Sequence, residues 1–322
     1  MAPGVERADV AMLVARRSTA SLTYARVRDL PEFLVAGDIL VINTSATLPA
    51  ALPARLGDRA VKLHLSTQLD DETWVVELRG DNLEPFGSPP VGVRLELPDG
   101  GSADLIAAYR NSGRLAVARL SVAEPVETYV RRHGAPIRYP HAQTGHPLDT
   151  YQTVFAREPG SAEMPSAARP FTHELVTELV TCGVLLAPIT LHTGVSSLEL
   201  GEQPYPERFR VPWTTAQLLN ARFAWGGRAI AVGTTVVRAI ESAATPNGLV
   251  SPAEGWTDRI ITRDRPLRAI DGLLTGWHDP ASSHLELLEA ATGGELLERS
   301  YAAARARGFV FHEFGDAHLI LP

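Results

Sequence analysis

The chain has a single cysteine, Cys182, and a single lysine, Lys62, among 322 residues. One cysteine excludes an internal disulfide and any zinc site built on several thiolates, and it fits a reducing compartment. The expected role of Cys182 is a buried structural thiol. With lysine so scarce, arginine supplies nearly all of the 30 basic residues; 37 acidic residues outnumber them, and the formal net charge is −7. That balance offers no global attraction to nucleic acid, so a nucleic-acid site has to be a local patch. No apolar run reaches the roughly 18 residues of a membrane-spanning helix. Residues 1–18 mix acids and arginines around a short apolar patch, unlike a signal peptide. The expectation is a cytoplasmic protein without a membrane partner. A G-x-S-x-G elbow, a Walker loop, a G-x-G-x-x-G turn after a strand and an H-E-x-x-H pair are all missing. Serine hydrolysis, phosphoryl transfer and nicotinamide binding therefore lack their usual markers.

What is present begins with a sizeable core, 45% of residues being hydrophobic. Residues 10–16 form one apolar run, and Ile39-Leu40-Val41-Ile42 another. From about residue 50 to 120 the period becomes two, in 61–65, 74–78, 93–97 and 115–120, with Gly, Asp and Asn turns between. Short strands at that spacing predict a small antiparallel barrel inserted into a larger domain. Residues 124–132 read as a short helix. The stretch 133–166 is rich in Pro, Gly and His; the spacing of His133, His141 and His146 matches no common metal-ligand pattern, and no metal is expected.

The second half alternates strand and helix. Thr172 should cap a helix that ends at Gly183, and a strand follows over 184–191. A helix is expected over 212–225, two more over 282–292 and 293–307, and a last strand over 318–321. Between them lies RAIAVGTTVVRAIESAAT, residues 228–245. Ala229-Ile230-Ala231-Val232 reads as a buried strand that Gly233 breaks. Thr234 or Thr235 is then expected to cap a helix with Val236, Val237, Ile240 and Ala243 on one face. Thr234, Arg238, Glu241 and Ser242 fall on the opposite, polar face. A glycine turn between strand and helix leaves free N–H groups at the carboxyl end of the strand, where open α/β sheets bind ligands.

Four further polar clusters end strands or open helices: Thr190-Leu191-His192-Thr193-Gly194, Trp256-Thr257-Asp258 leading into residues 259–262, Thr275-Gly276-Trp277-His278-Asp279-Pro280, and Phe314-Gly315-Asp316-Ala317. His192 and His278 can move protons near neutral pH. Glu241 and Asp258 can accept protons or bind a cation. Trp256 and Trp277 can stack on a base or face a sulfonium.

Taken in order, TLHTG, GTTVVRAIES, GWTD, DGLLTGWHDP and FGDAHLIL resemble the S-adenosylmethionine:tRNA ribosyltransferase-isomerase family of queuosine synthesis, as do GDILVINTSATLPAAL and YQTVFAREPG. The resemblance runs over about residues 10–322. It implies an α/β fold: a mixed α/β main domain (residues 1–49 and 121–322) with an inserted small antiparallel β-barrel (residues 50–120). It implies transfer of the ribosyl part of S-adenosylmethionine to 7-aminomethyl-7-deazaguanine in tRNA, giving epoxyqueuosine and releasing adenine and methionine, without a metal. Under it, Arg238 would pair with a carboxylate or phosphate. Glu241, Asp258 and His192 would handle protons or the amine, and His278 and Asp316 would complete the site. Thr234, Thr235, Ser242, Trp256, Thr257 and Trp277 would line the binding surface.

Several family motifs are altered. P-T-A-G-L-H-F-T stands as Pro165-Ser166-Ala167-Ala168-Arg169-Pro170-Phe171-Thr172, N-D-T-R as Asn43-Thr44-Ser45-Ala46, and H-S-E as Tyr205-Pro206-Glu207. N-F-H-L-P is Gly276-Trp277-His278-Asp279-Pro280, and G-D-A-M is Gly315-Asp316-Ala317-His318. Two alternatives stand beside the tRNA reading: a paralogue acting on a small deazapurine-like acceptor, which the lost basic residue at Ala46 favours, and a non-catalytic binding protein.

Overall fold

A computed structural model describes residues 7–84, 86–110, 112–138, 145–195, 203–278, 284–311 and 313–322. The elements run β1 (Ala11–Arg16), β2 (Ser21–Arg26), β3 (Ile39–Asn43), β4 (Ser45–Thr47), then β5 (Ala51–Leu56), β6 (Arg59–Gln68), β7 (Thr73–Gly80), β8 (Arg94–Glu96), β9 (Ser102–Ala108) and β10 (Leu115–Ser121). They continue through α1 (Val126–His133), β11 (Glu158–Ser161), α2 (His173–Thr181), β12 (Leu185–Leu191), β13 (Glu207–Val211), α3 (Trp213–Ala221), β14 (Ala229–Val232) and α4 (Thr234–Ala243). The chain closes with β15 (Ala253–Thr257), β16 (Gly272–Gly276), α5 (His284–Thr292), α6 (Gly294–Ala306) and β17 (Ala317–Leu321).

A 9-stranded sheet, in the order β15-β13-β12-β3-β14-β16-β17-β1-β2, forms the main body. Its centre, β12-β3-β14-β16, is parallel. Those strands are near-continuous apolar runs because both of their faces are covered. Ile39, Val41, Ala229, Ala231 and Leu273 pack with Val236, Val237 and Ile240 of α4 on one side. Leu40, Ile42, Ile230, Val232 and Leu274 pack with Phe171, Leu175 and Leu179 on the other.

Strand direction gathers the polar clusters at one edge. The parallel strands end there, so Leu191, Val232 and Gly276 reach it together. β13 is antiparallel to β12 and starts there with Glu207, while β15, antiparallel to β13, ends there with Thr257. β17 is antiparallel to β16 and enters from the same edge at Ala317.

β10-β7-β6-β5-β8-β9 close into an antiparallel barrel around Leu52, Leu63, Leu65, Val76, Leu78 and Leu105. Two of its strands, β5 and β9, lie outside the four runs of clear alternation. The barrel meets the main body at the TLHTG turn. There the main-chain N–H of Val195 donates to Ser66 Oγ at 3.0 Å. A side chain at Gly194 would sit 2.7 Å from Ser66 Oγ, so this contact needs a glycine.

Several expectations need correction. The α4 cap is neither Thr234 nor Thr235 but Gly233, with no side-chain cap bond. Its φ of 104° and ψ of 151° lie in a region essentially restricted to glycine. The polar face of α4 is not solvated: Thr234, Arg238 and Glu241 are all buried. GWT is the end of edge strand β15, and residues 259–262 lie beyond it outside any strand. Cys182 is exposed rather than buried, because it follows the last turn of α2 on its outer side. Of the three loop histidines, His133 lies 3.2 Å from Asp99 and His146 packs on Phe314, while His141 falls outside the described residues. Thr172 caps α2 as expected, its hydroxyl accepting from Leu175 N–H.

Candidate active site

A cavity of about 870 Å³ opens where the barrel meets the carboxyl edge of the sheet. The barrel contributes Ser66, Thr67, Val75 and Tyr109; the main body contributes Glu163, Thr193, Tyr205, Glu207, Gly233, Thr275, His284 and Glu313. Five of the residues expected from the sequence line it: Thr234, Thr235, Arg238, Trp277 and His278. The first N–H groups of a helix have no partner within it, so the first turn of α4 presents donors and a positive helix end to the cavity.

Arg238 is held by the protein itself. Its Nη1 donates to Glu207 Oε2, Nε donates to the Arg259 carbonyl at 3.2 Å, and Nη2 donates to the carbonyls of Tyr205 (3.1 Å) and Thr257 (3.2 Å). Arg238, expected to bind a carboxylate or phosphate of a ligand, is paired here with the protein's own Glu207. Burial pushes the Glu207 carboxyl up, while the guanidinium beside it pulls it down. One buried ion pair ties α4, β13 and β15 together on the cavity wall.

Glu241 and Ser242 lie outside the lining. Glu241, 0% exposed, accepts the main-chain N–H groups of Arg268, Ala269 and Ile270 at 2.9–3.2 Å. It fixes the turn that leads into β16, and no proton-handling position in the cavity is open to it. Ser242 Oγ donates to the Arg238 carbonyl and meets Thr257 Oγ1 at 2.6 Å, joining α4 to β15. Asp316 accepts from the N–H groups of Ala11 and Val310, closing the approach to β17. Trp256 and Asp258 are exposed beyond the cavity rim. His192 sits next to the lining residue Thr193, with Nδ1 2.7 Å from Ser45 Oγ. Burial holds the His192 imidazole below its ordinary range, against the opposing pull of Glu158.

Trp277 and His278 end β16 in an aromatic nest. Trp277 stacks on His318 (4.6 Å between centroids, 10°) and meets Tyr301, Phe309 and Phe311. His278 stacks on His284 at 4.3 Å and 2°. Burial, and then His284, holds the His278 imidazole well below its ordinary range. Burial and the charge of Arg238 push His284 down to about 4.

His318 occupies the position where the family pattern has methionine, and it behaves accordingly. It is 0% exposed, and neither ring nitrogen has a hydrogen-bond partner among the described residues. Burial pushes it down to about 3. An unfolded chain protonates this imidazole below about 6.5 whereas the folded protein does not. Its contribution to stability is therefore intact above pH 6.5 and lost progressively as the pH falls towards 3. The substitution His318→Met removes that slope. Relative to wild type, it should gain about 2 kcal/mol between pH 7.5 and pH 5, from some 1.5 pH units at 1.36 kcal/mol each. Urea unfolding at the two pH values checks it; parallel pH profiles would refute it.

Among the described residues, no group of three or more His, Cys, Asp or Glu side chains is placed to hold a metal ion. The sequence did not single out His284, Glu163, Glu313 or the barrel wall. Glu207 was legible in principle: 207, 209 and 211 alternate as buried positions of β13. The prolines at 206 and 212 make so short a strand read as a loop.

A family model described as "Queuosine biosynthesis protein" matches residues 1–320. The S-adenosylmethionine:tRNA ribosyltransferase-isomerase of Rhizorhabdus wittichii is 34% identical over 99% of this chain and 94% of its own length. That of Symbiobacterium thermophilum is 36% identical over 96% of this chain and 92% of its own. The crystal structure of S-adenosylmethionine tRNA ribosyltransferase from Thermotoga maritima superposes with a TM-score of 0.54 at 25% identity, covering 100% of this chain and 94% of that one.

Proposed function

Because the chain belongs to the queuosine biosynthesis protein family, we propose that it transfers and isomerises the ribosyl part of S-adenosylmethionine onto 7-aminomethyl-7-deazaguanine in tRNA. Epoxyqueuosine is the product, and adenine and methionine leave. The observation that carries this reading is the cavity at the carboxyl edge of the sheet, on which the GTT and GWH motifs converge. Its volume falls within the range of small-ligand sites and suits a nucleoside with an amino-acid tail. The first turn of α4, with Thr234 and Thr235, suits the methionyl carboxylate. Glu163 and Glu313, also in the lining, supply carboxylates suited to the sulfonium and ammonium charges. His278 is the proton-handling group of the cavity. Glu241, Ser242 and Asp316 hold the frame.

For tRNA, the outer face of β13 and β15 sets exposed Arg208 opposite exposed Trp256, with exposed Arg210 beside them. Arginine and an aromatic ring together suit a phosphate backbone and a splayed base. No helix among the described residues is long and apolar enough to cross a membrane.

The test is adenine release from S-adenosylmethionine, followed by chromatography, with tRNA bearing the aminomethyl-deazaguanine, with unmodified tRNA and with the free base. Release with only the first is expected. Release with the free base but not the tRNA would replace this reading with the small-acceptor one.

A further inference from the structure

We propose that His284, stacked on His278 in the cavity wall, is a positioning residue that sets His278 as the proton acceptor for a primary ammonium of the acceptor substrate. This rests on the reading of the cavity as the transfer site.

The two rings come from separate rigid elements. His278 follows the last residues of β16, and His284 opens α5. Their planes are 2° apart with centroids 4.3 Å apart, and both line the cavity. His278 is braced on two further sides. Thr275 Oγ1 lies 3.2 Å from its Nε2, and the Tyr301 hydroxyl of α6 reaches both its main-chain N–H (3.4 Å) and its carbonyl (3.2 Å).

The charges around the pair point the same way. Arg238 of α4 faces it, balanced by Glu207 of β13, while Glu313 lines the cavity and neutral His318 lies behind Trp277. Two imidazolium rings at this separation repel, so the pair holds at most one proton. An imidazole kept neutral at working pH has a ring lone pair available for a proton. The primary ammonium gives one N–H proton to the imidazole nitrogen, and the electron pair of that bond stays on the amine as its lone pair. That lone pair then bonds the ribosyl carbon as the bond to the leaving group breaks and its electrons depart with that group. The imidazolium afterwards returns its proton to water.

His284→Ala opens this face of His278 to water, whereas His284→Phe keeps the stacked plane. Two readouts apply to the full-length protein: the pH profile of kcat/KM for adenine release, and a 15N NMR titration of the His278 imidazole. In wild type both should report titration well below the ordinary value of about 6.5. In His284→Ala both should move up towards that ordinary value, with a loss of up to about fourfold at pH 6 relative to pH 8. In His284→Phe both should stay low. A His278 titration unchanged by His284→Ala would overturn the proposal, as would a rate loss equal at every pH. If His284→Ala fails to fold, His284→Gln, which also removes the ring, takes its place. If wild type releases no adenine at any pH, the functional reading fails while the NMR titration still decides the pair.

Discussion

Arg238→Ala is expected to lower the stability of the protein by about 3–5 kcal/mol and to abolish turnover. The change removes one partner of a buried ion pair and leaves the other, Glu207, in a site with little water. Breaking such a pair from one side usually has that large a penalty, because the remaining charge has no compensation. The carbonyls of Tyr205, Thr257 and Arg259 lose their donor at the same time. Denaturant unfolding of the single variant measures the first effect. The double variant Arg238→Met/Glu207→Leu separates the two: removing both charges should restore most of the stability but not the activity, since the cavity wall loses its charged side chains. A single variant as stable as wild type would show that the pair contributes little to the frame.

Glu241→Ala is expected to be about as costly, for a different reason. Three main-chain N–H groups, those of Arg268, Ala269 and Ile270, would lose their acceptor in the interior. At about 1–3 kcal/mol for each orphaned donor, the penalty is at least about 3 kcal/mol. Glu241→Gln keeps one oxygen acceptor and should recover part of it. Because Glu241 does not line the cavity, the folded fraction of Glu241→Gln should release adenine at close to the wild-type rate per molecule. A stable, folded Glu241→Gln without activity would return this residue to proton handling.

These two residues also show how far the sequence could be read. Arg238 and Glu241 sit three apart on one helix, and periodicity alone put both on the polar face of GTTVVRAIES. That face is real, but it does not meet a single surrounding. Arg238 turns to β13, β15 and the cavity, while Glu241 turns to the loop before β16. Local spacing specifies direction on a helix and says nothing about which distant segment arrives there. The same limit hid His284. It reads as an ordinary helix residue until α5 lays it flat on His278.

Hydropathy alone determined the apolar strands β3, β12 and β14 and the alternation of four barrel strands, and residue identities set the order of motifs that marks the family. Each of those signals is written in consecutive residues, because a strand covered on both sides must be apolar throughout and a barrel strand must alternate. The tertiary structure alone decided which polar groups face the cavity and which serve the frame. The convergence of five clusters on one edge depends on strand direction, which no single segment encodes. The cavity exists only where the barrel, through Gly194 and Ser66, closes on that edge.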